Sequence, residues 1–122
     1  MKAIFKAVLA ATVAVALLLA GEARGEEKHG VPVYPGAKYD ATTTGALRDA
    51  MKLDAACYRT ADDVGKVTAF YRKQPGLKVV GETAEGSMLK KGTVDVTVQR
   101  PWMDMKTGTM NKDTLISIVK QE

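Results

Sequence analysis

Thr60-Ala-Asp-Asp-Val-Gly-Lys-Val-Thr-Ala-Phe-Tyr-Arg-Lys-Gln-Pro-Gly76 is the stretch whose period is plainly helical. Val64, Val67, Phe70 and Tyr71 recur three and four residues apart, which places them on one stripe of a helix and turns Lys66, Arg72 and Lys73 outward or toward its end. Thr60 stands at the N-cap position, and Asp62 and Asp63 put negative charge in the first turn, where the peptide dipoles favour it. Pro75 cannot continue the hydrogen-bond ladder, so the chain must leave the helix at Gln74-Pro75-Gly76. The stretch predicts a helix over 61–73 that covers a core with Val64, Val67, Phe70 and Tyr71.

Downstream the pattern changes to strands. Leu77 to Gly81 is short and apolar, Thr83-Ala84-Glu85-Gly86 is turn-like, and Ser87 to Lys91 is a second short strand. Gly92 turns the chain into Thr93 to Gln99, where Val94, Val96 and Val98 alternate with Asp95 and Thr97. Such alternation marks a strand with one face buried and one wet. A long connection from Arg100 to Asp113 leads to a last strand over Thr114 to Lys120, rich in Leu, Ile and Val.

Upstream, two tendencies compete between Ala46 and Arg59. The Ala, Leu, Met and Lys content favours helix. Alternation places Met51, Leu53, Ala55 and Cys57 on one side and Lys52 and Asp54 on the other, which favours a strand over 51–59 with Cys57 inward. Thr42-Thr43-Thr44-Gly45 then reads as a loop. Val31-Pro-Val-Tyr-Pro-Gly-Ala37 suits an edge strand or extended segment, because its prolines forbid a central position. The order is β-β-α-β-β-β-β. A lone amphipathic helix must bury its stripe against a sheet, so the expectation is a two-layer α+β domain, with one helix on a mostly antiparallel sheet of about four to six strands.

The N-terminus reads as a signal peptide over residues 1–23. Lys2 and Lys6 form a positive start, Ala7 to Ala20 is an uncharged apolar run, and Gly21-Glu22-Ala23 offers small residues at a cleavage site. The run is shorter than the roughly 20 residues that span a bilayer as a helix, so no stable membrane insertion is expected after cleavage. A lipidated cysteine is ruled out at position 22, which is glutamate. Residues 24–30 are polar and read as a disordered leader, and residues 31–122 as a single domain. The expected localisation is periplasmic or secreted.

Composition removes several classes of function. Cys57 is the only cysteine, which excludes an internal disulfide, a CxxC redox site and a cysteine zinc site. Beyond residue 23 the chain carries 16 Lys and Arg against 13 Asp and Glu, interspersed rather than clustered. A nucleic-acid partner would require a basic stripe with stacking aromatics, so none is expected. A thiol–imidazole pair would have to combine an inward Cys57 with His29 of the leader, and Asp62-Asp63 is explained by helix capping. No phosphate-cradling glycine loop or metallohydrolase helix motif occurs. The expectation is a chain that is not an enzyme, with no catalytic residue and no cofactor.

Val31-Pro-Val-Tyr-Pro-Gly-Ala37 together with Tyr58-Arg-Thr-Ala-Asp-Asp-Val-Gly-Lys-Val-Thr-Ala-Phe-Tyr71 resembles a group of small exported bacterial proteins of unknown function. These share a "PVYPGA" opening segment and a "T-x-D-x-V-x-x-V-x-x-F-Y" helix, and are often lipoprotein-like; Glu22 departs from that last feature. The resemblance implies the fold and the compartment and carries over no catalytic residue.

Arg100-Pro-Trp-Met-Asp-Met-Lys-Thr-Gly-Thr-Met110 is the most unusual stretch, with the only tryptophan beside a Met-x-Met pair. It is the candidate binding loop, through Trp102, Met103 and Met105, toward an unknown envelope protein or ligand. The alternative is a periplasmic protein that binds Cu(I) or Ag(I) through Met103, Met105, Met110 and Trp102, since thioethers select soft ions. Its local composition resembles that of small periplasmic copper- and silver-binding chaperones. In those a methionine pair and a histidine ligate the ion under a tryptophan ring; here the Trp-to-Met spacing is shorter and His29 is remote in sequence.

Overall fold

The computed structural model describes residues 26–121, which divide into two units between Pro35 and Gly36. The expected signal peptide, residues 1–23, lies outside the described residues.

In the first unit, residues 26–30 are not the disordered leader expected but half of a hairpin. Strand β1 (Glu27–Lys28) pairs antiparallel with β2 (Val31–Pro32). The two residues between them, His29 and Gly30, have φ of 57° and 80°, as a two-residue hairpin turn with positive φ at both positions requires. The Val33 amide donates to the Glu26 carbonyl at 2.9 Å and extends the pairing.

The second unit contains β3 (Lys38–Tyr39), α1 (Ala41–Met51), β4 (Asp54–Thr60), α2 (Val64–Arg72), β5 (Lys78–Thr83), β6 (Gly86–Lys91), β7 (Val94–Gln99), β8 (Trp102–Met103), β9 (Met110–Asn111) and β10 (Thr114–Lys120). Six strands form one sheet in the order β3-β4-β10-β7-β6-β5, and every pairing is antiparallel. The domain is α+β, as its sequence pattern implies. Strands β4 and β5 therefore run the same way with three strands between them, and α2 is the crossover that joins them.

Register assigns each residue to a face. Ala56, Ile118, Val96 and Leu89 stand in one row across four strands, and Tyr58, Ile116, Val98 and Ser87 in the next. All eight are buried. Helix α2 covers this face with Val64, Val67 and Tyr71, and the Thr68 and Ser87 hydroxyls meet at 2.7 Å, which satisfies both inside the core. Thr68 thus takes a core place expected for Phe70, which is only partly buried and packs its ring edge-on to Tyr71. The cap is Asp63 rather than Thr60: its carboxylate accepts from the Lys66 amide at 2.8 Å. Gly86 begins β6 because a side chain there would meet the Val98 carbonyl oxygen at 2.9 Å.

The region 41–53 corrects the sequence reading. Residues 41–51 are helical and the strand starts at Asp54, so Thr42–Gly45 is not a loop, and Met51 and Leu53 do not share a strand with Cys57. Asp40 caps α1 by accepting from the Thr43 amide at 3.0 Å, and Lys52, with φ 59°, ends it. Helix α1 lies along the edge of β4 and takes over the hydrogen bonds that a longer β3 would make. The Asp40 amide donates to the Cys57 carbonyl, the Cys57 amide donates to Thr44 Oγ1 at 2.8 Å, and Arg48 Nε donates to the Ala55 carbonyl at 3.1 Å. A sheet edge that would otherwise offer itself to another chain is closed by side chains. Among the described residues, no helix is long and apolar enough to cross a membrane.

Candidate functional site

The connection from 100 to 113 is a hairpin, not an irregular loop. Strands β8 and β9 pair antiparallel, with Trp102 opposite Asn111 and Met103 opposite Met110. The Asp104 amide donates to the Thr109 carbonyl and the Gly108 amide to the Asp104 carbonyl, each at 2.8 Å. Inside the turn, Asp104 Oδ1 accepts from the amides of Lys106 at 2.8 Å and Thr107 at 3.3 Å, while Gly108 supplies a φ of 73°. An aspartate that folds back on the next amides fixes such a turn from its own side chain.

Successive residues of a strand point to opposite sides, and the base of the hairpin shows the consequence. Trp102 is 2% exposed and packs with Cys57, Leu115 and Leu47 on the sheet face opposite the row of Leu89 and Val96. Its neighbour Met103 is 58% exposed, and Met105 and Met110 are 56% and 55% exposed. The tryptophan is an anchor, and the methionines are what the anchored hairpin displays.

A polar cluster holds the anchor. Trp102 Nε1 donates to Asp113 Oδ1 at 2.9 Å, and Arg59 Nε donates to Asp113 Oδ2 at 2.7 Å. The Arg59 guanidinium carbon lies 5.0 Å from the centroid of the Trp102 ring, within range of a cation–π attraction worth about 0.5–1 kcal/mol at exposed sites and about 2 when desolvated. Arg59 also reaches Asp40 at 3.5 Å, which ties the cap of α1 to the base of the hairpin. Burial alone would raise the Asp113 carboxyl, but the hydrogen bonds from Arg59 and Trp102 and the charge of Arg59 outweigh it and hold Asp113 below its ordinary range. The hydrogen bond to Asp113, chiefly, raises Arg59 in turn.

The other candidates have structural duties. Cys57 is fully buried, its thiol 3.6 Å from Ser117 Oγ, and burial pushes its pKa up, which disfavours the thiolate that nucleophilic chemistry needs. His29 occupies the turn of the first unit. An open depression at the start of α2 is lined by Asp63, Gly65, Glu82 and Arg100, among others. There Asp63 is the helix cap, Glu82 pairs with Arg72, and Arg100 donates to the Ala61 carbonyl at 2.9 Å. Among the described residues, no three His, Cys, Asp or Glu side chains gather as metal ligands.

Trp102, Met103, Met105 and Met110 do share one element, but its pleat parts the indole from Met103. Sequence reasoning missed Arg59, Asp113 and Asp40, which lie up to 73 positions apart in the chain and meet only through the strand register. Compared with models of protein families, with curated proteins and with solved structures, the chain matches none.

Proposed function

We propose that the protein is an exported, non-catalytic binding domain of the bacterial envelope that docks on another envelope protein through the 102–111 hairpin. The observation that carries this reading is the display of three methionines, each more than half exposed, on a hairpin whose base is locked to the sheet by Trp102. Flexible thioether side chains fit apolar pockets of varied shape, and a fixed backbone beneath them lowers the ordering cost of binding. Export is supported by Lys2, Lys6, the Ala7–Ala20 run and the small residues at 21 and 23.

Site-specific photocrosslinking in the native envelope tests the reading, on exported protein whose N-terminus begins near Arg24 or Glu26. A photoreactive side chain at Met105 should give one discrete adduct, and the same group at exposed Ala84 in the β5–β6 turn should not. Equal diffuse labelling from both positions would contradict docking through the hairpin.

A further inference from the structure

We propose that Met103 and Met110 form a two-thioether site for a soft monovalent cation, Ag(I) or Cu(I), with Met105 as a third donor from the turn. The sequence offers Met103-x-Met105 as the obvious pair, but the fold pairs Met103 with Met110. They are direct partners on the β8–β9 ladder, so they share a face, and facing residues of an antiparallel pair hold their Cβ atoms about 5 Å apart. Each thioether swings on a flexible stem from a backbone already fixed by the Asp104 turn, so two sulfurs can converge on one ion with little chain ordering.

The donor set decides which ion. Between Trp102 and Asn111 there is no Cys or His, and Asp104, the single carboxylate, has an oxygen committed to the turn amides. Thioethers alone bind poorly to Zn(II) or Mg(II) and select soft ions. Trp102 is not a ligand or a lid, because its ring is buried on the opposite side of the strand beneath Arg59. Met51 and Met88 are 42% and 40% exposed on α1 and β6, where neither has a methionine opposite it, so they serve as internal controls. The site uses the hairpin of the docking reading but not its partner.

The test is a titration of silver nitrate, in chloride-free buffer, into protein carrying 13C-methyl methionine. Cys57 is replaced first, as Cys57→Ala or, should that variant fail to fold, Cys57→Ser, because a thiolate would outcompete any thioether. The methyl resonances of Met103 and Met110 should shift together and saturate at one equivalent, while those of Met51 and Met88 stay in place. Met110→Leu keeps the volume, removes one sulfur and should abolish the saturable shift of Met103; Zn(II) should produce none. Unsaturated drift of the Met51, Met88, Met103, Met105 and Met110 resonances alike, or a Met103 endpoint that survives Met110→Leu, would overturn the proposal. Failure here with a discrete Met105 photoadduct in metal-free envelope would leave docking intact, and the reverse pattern would leave only the metal site.

Discussion

Asp113 accepts from two donors that belong to different parts of the chain, the indole of Trp102 and the guanidinium of Arg59, and its ionised form is what both recognise. Its carboxyl is held below the value of about 3.9 expected in the unfolded chain. A depressed carboxyl contributes stability above its unfolded pKa and loses it as pH falls through the folded one. The cluster is part-exposed, so the contribution is about 1 kcal/mol rather than several. Asp113→Asn should therefore lower the urea midpoint at pH 7, and the gap to the parent protein should close as pH drops below about 4. A gap that persists unchanged at pH 2.5 would show that the charge of Asp113 does not matter. None of this cluster was legible in the sequence. Arg59 reads as the last polar residue of a strand and Asp113 as the end of a loop, and only the pairing of Leu115 with Arg59 makes them neighbours.

At the scale of elements, β6, β7 and β10 could be read to within a residue, because short apolar runs between turn residues are local signals. The stripe of α2 was legible too, although the helix starts at Val64 under an Asp63 cap rather than at 61 under Thr60. Helix α1 could not. Its sequence carries three threonines and a glycine, poor helix formers, and part of its support is non-local, through Thr44 and Arg48 bonded to the edge of β4. Alternation misled because Ala55, Ala56, Cys57 and Tyr58 are all buried: β4 is covered on both faces, so the true strand does not alternate. Helix α1 can be tested through the bonds it lends to that edge. Thr44→Ala should cost about 1–3 kcal/mol by leaving the buried Cys57 amide without its acceptor. Asp63→Ala should cost about 1 kcal/mol through the lost cap of α2. Thr60→Ala should cost less than Asp63→Ala, since Thr60 accepts only a 3.2 Å bond from the Asp62 amide. Chemical denaturation of the three variants checks the ranking, and a neutral Thr44→Ala would mean that α1 does not seal the edge.

At the scale of the whole molecule, the α+β class was legible because one helical segment among many strands leaves few ways to bury an apolar stripe. The hairpin was legible as an unusual stretch but not as a structure: Met103 and Met110 are seven positions apart in the chain and become partners only when the turn at Asp104 closes. That closure divides the labour: Trp102 and its polar cluster secure the hairpin, and the three methionines face outward. Competition against the Met105 photoadduct tests this division most directly, with purified parent protein and a variant carrying Met103→Gln, Met105→Gln and Met110→Gln. Each exposed substitution should change the unfolding free energy by no more than about 0.5 kcal/mol, so any difference reports the displayed surface and not the fold. Excess parent protein should abolish the adduct, and the equally stable triple variant should leave it intact. Equal competition by the two would contradict docking through the displayed methionines.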